Sequence, residues 1–147
     1  YWHWFALIQP APMPESLIDN NPARYVRDVM GGRFAGLAPF SPGAMAEYER
    51  CAFIPGTSTS VCEDYRASAG IDLDYDRIDM ASGNRLVQPL RVLWGEQGAV
   101  GRCFDVLSLW RDRAVHLSGE SLPCGHYLAE EQPEMVAAEA LKFFKST

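Results

Sequence analysis

The feature that most constrains this sequence is an order of strand, helix, strand and helix towards its C-terminal end. Residues 89–94 form a compact apolar run followed by a glycine, which predicts a strand, and residues 115–122 predict a second. Residues 104–114 have helical spacing, and Pro133 opens a final helix with Val136, Ala137, Ala140, Leu141 and Phe144 on one face. The order predicts a parallel pair with a right-handed crossover. Because two parallel strands rarely stand alone, the pattern indicates the end of a larger α/β sheet.

The preceding residues predict a series of short helices. Asn21-Pro22 and Ser41-Pro42 are typical helix starts, and Asp72 is expected to cap another helix. The predicted helices cover residues 1–8, 22–30, 44–53, 59–69 and 73–81. The change of character near Arg85 divides the chain into a helical domain over 1–85 and a piece of an α/β core over 86–147.

The loop between the second strand and the final helix carries a histidine. His126 follows Gly125, which allows a sharp backbone bend, and imidazole titrates near neutral pH. A histidine in such a place can face a cleft and act as a base, whereas the alternative is an ordinary polar loop residue. Glu130 and Glu131 follow it, where carboxylates favour the start of a helix.

Composition narrows the class of protein. The 147 residues carry a net charge of -6 with no basic cluster, which argues against nucleic acid and favours a small-molecule substrate. No apolar run approaches the length of about 20 residues that crosses a bilayer, so a cytoplasmic protein is expected. The four cysteines lack the close spacing of a metal or redox site and are expected to be free, buried thiols. The acidic residues of 72–79 lack the pattern of a calcium loop, so a solvated helix face is expected.

Four short runs point to a known family. They are Trp2-His3-Trp4-Phe5 with Gln9-Pro10, then Cys62-Glu63-Asp64-Tyr65-Arg66-Ala67, then Val92-Leu93-Trp94-Gly95-Glu96, and Gly125-His126-Tyr127-Leu128 with Glu130-Glu131. Together they resemble the fluoroacetate (haloacetate) dehalogenases, α/β-hydrolases in which a helical cap interrupts the sheet. The resemblance spans essentially the whole chain and implies the C-terminal portion of that fold, with the cap followed by the last two parallel strands.

The resemblance also implies a chemistry that needs no cofactor. An aspartate displaces halide from a small halogenated acid, and a water activated by histidine then hydrolyses the ester. His126 would be that general base, and His3, Trp4 and Tyr65 would donate hydrogen bonds to the departing halide. The family further implies a homodimer.

Several expected parts are absent from the sequence. It has neither a nucleophile elbow with its aspartate nor the arginines that hold the substrate carboxylate in the family, and all of these are expected upstream of Tyr1. The isolated chain is therefore predicted to be inactive and to expose apolar surface at a bare sheet edge. Glu96 could be the triad acid, but a structural role is favoured because the dehalogenases carry their acid before the cap. Cys124 is disfavoured as a nucleophile because it lies so close to His126 on one loop.

Two alternatives remain open from the sequence. One is an epoxide hydrolase of the same fold, in which Tyr65 would donate to the epoxide oxygen. The other is a non-catalytic fragment or interaction module. The pairing of His3 with Trp4 favours halide over epoxide.

Overall fold

A computed structural model describes residues 2–146, so Tyr1, at the start of the first predicted helix, lies outside the described residues. The elements in chain order are α1 (Trp2–Leu7), α2 (Met13–Asp19), α3 (Pro22–Gly31), α4 (Pro42–Ala52), α5 (Thr57–Ala69), α6 (Ile71–Ala81), β1 (Leu86–Gly95), α7 (Ala99–Cys103), α8 (Val106–Arg111), β2 (Ala114–Leu122), α9 (Leu128–Glu131) and α10 (Pro133–Ser146). None of the described helices is long and apolar enough to cross a membrane.

The chain divides into two compact units. The first contains the residues up to Gly32 together with Phe40–Ser82, and the second contains Arg33–Pro39 and the chain from Gly83 onwards. The first is entirely helical, whereas the second contains both strands. The assignment of the short segment 33–39 to the second unit was not predicted, because its sequence carries no strand pattern.

Two helices of the first unit, α3 and α4, begin where local chemistry predicts. The side chain of Asn21 accepts a hydrogen bond from the Arg24 amide at 3.0 Å, and Ser41 accepts one from the Ala44 amide at 3.1 Å. These contacts satisfy amides that have no partner within the helix. The predicted cap at Asp72 is wrong, since α6 begins at Ile71 after Gly70 and Asp72 lies in its first turn.

Helix α2 was not predicted, because the prolines before and within it were interpreted only as breakers. Proline is tolerated in the first turn of a helix, where its missing N–H has no partner to lose, and Pro14 occupies such a position. Ile18 of α2 then packs with Leu7 and Cys62 in the buried core of this unit. Tyr25 packs against that core, and burial raises its pKa to about 12.

The strands form the predicted parallel pair. Leu86 pairs with Ala114 and Gly95 with Leu122, with one irregularity between Leu86 and Pro89. Apolar residues on the strands are exposed, including Val87 at 66% and Val115 at 48%. Because the strands are parallel and in register, their carboxyl ends meet at one edge of the sheet.

The crossover between the strands differs from the prediction. One helix over 104–114 was expected, and α8 occupies the middle of that range, at Val106–Arg111. Asp105 explains where α8 begins, because its side chain accepts a hydrogen bond from the Ser108 amide at 3.1 Å and so caps the helix. The short helix α7, which ends just before an extended Phe104, was not predicted.

Helix α10 forms as predicted, and an ion pair ties it to the sheet. Arg91 of β1 pairs with Glu139 of α10 at 2.5 Å and also with Glu120 of β2. The predicted apolar face is largely exposed in the described chain, with Leu141 at 60% and Phe144 at 76%. The arginine therefore contributes to holding a helix whose apolar face has little contact with the unit.

Candidate functional site

The predicted base lies on the loop that follows the carboxyl end of β2. Ligands of open α/β sheets bind beyond the carboxyl ends of the strands, so His126 occupies the appropriate edge. The residue is exposed, while Cys124 and Gly125 before it are buried. Its ring packs edge to face on Tyr127, with 5.0 Å between the centroids. His126 also lines a cavity of about 410 Å³, together with Trp94, Val106, Trp110 and Leu128 among others.

Glycines allow the His126 loop to approach the end of β1. A Cβ atom added to Gly95 would lie only 1.7 Å from the carbonyl oxygen of Gly125. The Gln97 amide donates to the Cys124 carbonyl at 3.0 Å, and the Glu96 amide donates to that of Leu122 at 3.0 Å. The loop is therefore held against the first strand by backbone contacts that a side chain at Gly95 would block.

Glu131 has a second role that the sequence did not predict. Its carboxylate accepts hydrogen bonds from the Gly125 amide at 2.6 Å and from the Tyr127 amide at 3.0 Å. The predicted position of Glu131 at the start of the final helix is wrong, since it is the last residue of α9 and α10 begins at Pro133. Interaction with the dipole of the final helix was therefore an incomplete account of this residue. Sequence spacing alone gives little sign of the contact, because carboxylates are common at helix starts whether or not they reach back.

The surroundings of His126 favour its neutral form. Although the residue is exposed at the surface, neighbouring atoms partly desolvate the ring and lower its pKa. The positive charge of Arg33 lowers the pKa further, and the negative charge of Glu131 raises it. A neutral imidazole is the form that can accept a proton from water.

Two other carboxyl-edge candidates are disfavoured. Burial raises the pKa of the Cys124 thiol, and the charges of Glu131 and Glu96 add to this effect. A nucleophilic cysteine needs the opposite shift. Glu96 is exposed on the turn after β1 and accepts a hydrogen bond from Gln97 at 3.3 Å.

The three predicted halide donors lie together in the first unit, and we refer to them as the aromatic trio. The Tyr65 ring meets the rings of both His3 and Trp4 edge to face, with centroid distances of 5.9 and 5.4 Å. His3 is only 3% exposed, whereas Trp4 is 49% exposed. The trio thus combines three side chains that can carry N–H or O–H donors, and Tyr65 lies about 60 positions after His3 and Trp4 in the sequence.

Arg66 joins the two helices that supply the trio. Its guanidinium donates to the Gln9 carbonyl from Nε at 3.0 Å and from Nη2 at 2.7 Å, just beyond α1. It also pairs with Glu15 at 2.8 Å and Glu63 at 2.5 Å. One planar cation therefore links α1, α2 and α5, and this contact was not predicted.

The structure also bears on the metal and cysteine predictions. Within residues 2–146 no group of three or more His, Cys, Asp or Glu side chains is arranged to hold a metal ion. All four cysteines are free, as predicted, but only Cys62 and Cys124 are buried, and Cys103 is exposed. Every residue of α6 is exposed, which confirms the expectation of a solvated acidic face.

Comparison with known proteins follows the resemblance noted in the sequence. A fluoroacetate dehalogenase from a Burkholderia species is 33% identical over 138 residues, which cover 93% of this chain and 45% of the dehalogenase. A soluble epoxide hydrolase from Corynebacterium sp. (strain C12) is 33% identical over 106 residues, or 71% of this chain and 35% of that enzyme. No known family profile matches the chain.

Solved structures match nearly the whole chain as well. A candidate α/β-hydrolase from Nostoc sp. PCC 7120 has a TM-score of 0.91 and 47% identity, covering 98% of this chain and 49% of its own. The chain has the fold of an α/β-hydrolase. A candidate acyltransferase from Salmonella enterica also has a TM-score of 0.91, with 41% identity over 99% of this chain and 48% of its own. The chain therefore spans about half the length of the structures and less than half of the curated relatives that it matches.

Proposed function

We propose that the protein containing this chain hydrolyses the carbon–halogen bond of haloacetates such as fluoroacetate. The meeting of His3 and Trp4 with Tyr65 carries the proposal, because N–H and O–H donors suit an anion that leaves as halide. The similarity to a fluoroacetate dehalogenase over 93% of the chain supports it.

The proposed reaction has two steps and uses polypeptide outside these residues for its nucleophile. An aspartate oxygen attacks the α-carbon, and the carbon–halogen bond breaks with its electron pair leaving on the halide. The aromatic trio donates to that halide. His126 then takes a proton from water, and the resulting hydroxide attacks the aspartyl ester carbonyl. The bond between the carbonyl carbon and the alkyl oxygen breaks, and that oxygen takes the proton back from His126 as the hydroxy acid departs. The aspartic acid left behind loses its proton to solvent and is regenerated as the carboxylate.

Fluoride release tests the role of the trio. With the protein expressed as its gene encodes it, a fluoride electrode should record steady release from fluoroacetate. Tyr65→Phe removes one hydroxyl donor and should lower kcat about 100-fold, within the range typical of a lost oxyanion-type donor. Tyr75→Phe is the matched control, since Tyr75 is 66% exposed on α6. If Tyr65→Phe kept the wild-type kcat, a halide role for the trio would be excluded.

The role of His126 requires a different assay. Without its base the protein should still form the ester, so His126→Gln should release about one equivalent of fluoride and then stop. Mass spectrometry should find the intermediate as added mass on the nucleophile-bearing peptide. His116→Gln, which changes an exposed histidine of β2, should turn over normally. Sustained turnover by His126→Gln would assign the base elsewhere.

Epoxide hydrolysis is a second candidate, favoured by the 33% identity to a soluble epoxide hydrolase. In that reaction the Tyr65 hydroxyl would donate to the epoxide oxygen. Chromatography of diol product, run beside the fluoride assay, separates the two. If the protein formed diol from an epoxide and released no fluoride from fluoroacetate, the epoxide hydrolase assignment would replace the dehalogenase proposal.

Two further expectations belong to the same proposal. The isolated 147-residue chain is expected to show no hydrolysis, because its proposed nucleophile lies elsewhere. If the chain acted instead as an interaction module, the protein as its gene encodes it would bind a partner but turn over neither substrate class. The homodimer implied by the family resemblance is measured directly by light scattering.

A further inference from the structure

The amides on either side of His126 share one acceptor. Glu131 Oε2 accepts from Gly125 at 2.6 Å, and Oε1 accepts from Tyr127 at 3.0 Å. In addition, the Glu131 amide donates to the Tyr127 carbonyl at 2.8 Å, so backbone and side chain of the same residue hold the same turn. We call the two carboxylate contacts the Glu131 clamp. Together they restrain the backbone before and after the imidazole.

The backbone at Gly125 is closely surrounded, with no space for a side chain. A Cβ on Gly125 would lie 2.8 Å from Cβ of Phe34 and 2.9 and 3.1 Å from the two carboxylate oxygens of Glu131. On another side, the Gly125 carbonyl lies against Gly95. The backbone at Gly125 therefore lies between Phe34, the end of β1 and the carboxylate, and the clamp supplies the charged contact.

The clamp also contributes a charge near the imidazole. The charged groups that act on His126 are Arg33, which disfavours its protonation, and Glu131, which favours it. Replacement of the carboxylate by an amide would therefore remove a charge that favours protonation and keep the effect of Arg33. A glutamine offers a single carbonyl oxygen, so it can accept from one of the two amides while its NH₂ group faces the other.

We propose that Glu131 is a positioning residue for His126, setting the orientation of the imidazole through the two flanking amides. This inference rests on the proposed role of His126 as a general base. It does not require Glu131 to contact the substrate. Positioning matters because a displacement of about 1 Å at a reacting group can cost about 100-fold in rate.

Nuclear magnetic resonance of the protein as its gene encodes it tests the clamp without turnover. In Glu131→Gln, the amides of Gly125 and Tyr127 should exchange with solvent about tenfold faster or more. The apparent pKa of His126 should fall relative to wild type as the negative charge is lost. Glu134→Gln, which removes an exposed carboxylate from the first turn of α10, should change neither.

Kinetics then connect the clamp to function. Glu131→Gln should lower kcat about 10- to 100-fold with little change in KM, since binding groups are untouched. Its pH–rate profile should move with the pKa of His126. Glu131→Asp keeps the charge but shortens the reach, so it should retain the His126 pKa more closely than Glu131→Gln while still losing one amide contact. This variant also provides the comparison if Glu131→Gln does not fold.

The outcomes separate the clamp from the proposed function. Wild-type amide exchange and His126 titration in both Glu131 variants would overturn the clamp, whatever the activity. Altered exchange and titration with unchanged kcat would also overturn the positioning role. If His126→Gln turned over normally while the Glu131 variants showed altered exchange, the base role would fail and the clamp would stand as a purely structural contact.

Discussion

The close approach of Gly95 to the His126 loop gives the sharpest prediction about stability. An alanine there would place Cβ at 1.7 Å from the Gly125 oxygen, half of the 3.4 Å at which ordinary contact begins, and at 2.7 Å from the Cys124 oxygen. Both neighbours are backbone atoms, so no side chain can rotate away. Relief requires the loop to move from the end of β1, which breaks the hydrogen bond from the Gln97 amide to Cys124.

The magnitude follows from these two changes. Overpacking against a well-packed backbone costs about 1–3 kcal/mol, and the lost hydrogen bond adds about 1 kcal/mol. Gly95→Ala should therefore lower the free energy of unfolding by about 2–4 kcal/mol. Gly98→Ala is the matched control, since its Cβ would lie 3.2 Å from the same Gly125 oxygen and a shift of a few tenths of an ångström suffices. We expect a change below about 1 kcal/mol there.

Urea unfolding of the two variants and the wild type measures both values, with equal slopes required before midpoints are compared. The His126 resonances provide a local readout and should shift in Gly95→Ala only. A Gly95→Ala protein within about 0.5 kcal/mol of wild type would refute the close approach. Equal destabilisation of the two variants would show that the loop as a whole, and not the Gly95 contact, is sensitive.

Four further outcomes are expected. Arg91→Met leaves two carboxylates without their guanidinium and should lower the unfolding free energy by about 1–3 kcal/mol in urea; an unchanged midpoint would contradict this. Ser41→Ala removes a helix cap and should cost about 1 kcal/mol, whereas a gain in stability would argue against the cap. Iodoacetamide should modify exposed Cys103 well before buried Cys124, whose thiol pKa is raised by burial; peptide mass spectrometry that found the reverse order would refute it. Partial desolvation lowers the pKa of His126, so the unfolded chain takes up a proton at this residue before the folded chain does as pH falls below 6.5. The free energy of unfolding should therefore decrease with falling pH in this range, and it should decrease less steeply in His126→Gln.

The parts of the fold that depend on local chemistry were predictable. Asn21 and Ser41 lie directly before prolines, and each does cap its helix as that pattern indicates. The parallel strands were also predictable, because chain connectivity through a helical crossover leaves few alternatives. Predictions of helix starts and ends failed where one residue type is compatible with two structures. Pro14 could end a helix or begin one, and Asp72 could cap a helix or lie in its first turn.

The resemblance to dehalogenases predicted which residues form the candidate site, but not the contacts that hold those residues in place. The resemblance to dehalogenases indicated His126 and the trio, and the structure places the trio side chains together. The Glu131 clamp was not predicted, since a carboxylate that reaches back to a loop has the same spacing as one that only favours a helix start. No role was predicted for Arg66, because its partner Gln9 lies 57 residues away in the sequence.

The contacts of Arg66 have a consequence for how the first, helical unit can diverge. His3 and Trp4 meet Tyr65 only because α1 and α5 keep their relative position, and one guanidinium bridges the two at the Gln9 carbonyl. A lysine at this position would keep the charge but lose the planar fork that contacts several acceptors at once. Under the proposed function, variation at Arg66, a residue outside the trio, would change which leaving groups are accepted while every ring of the trio stayed the same.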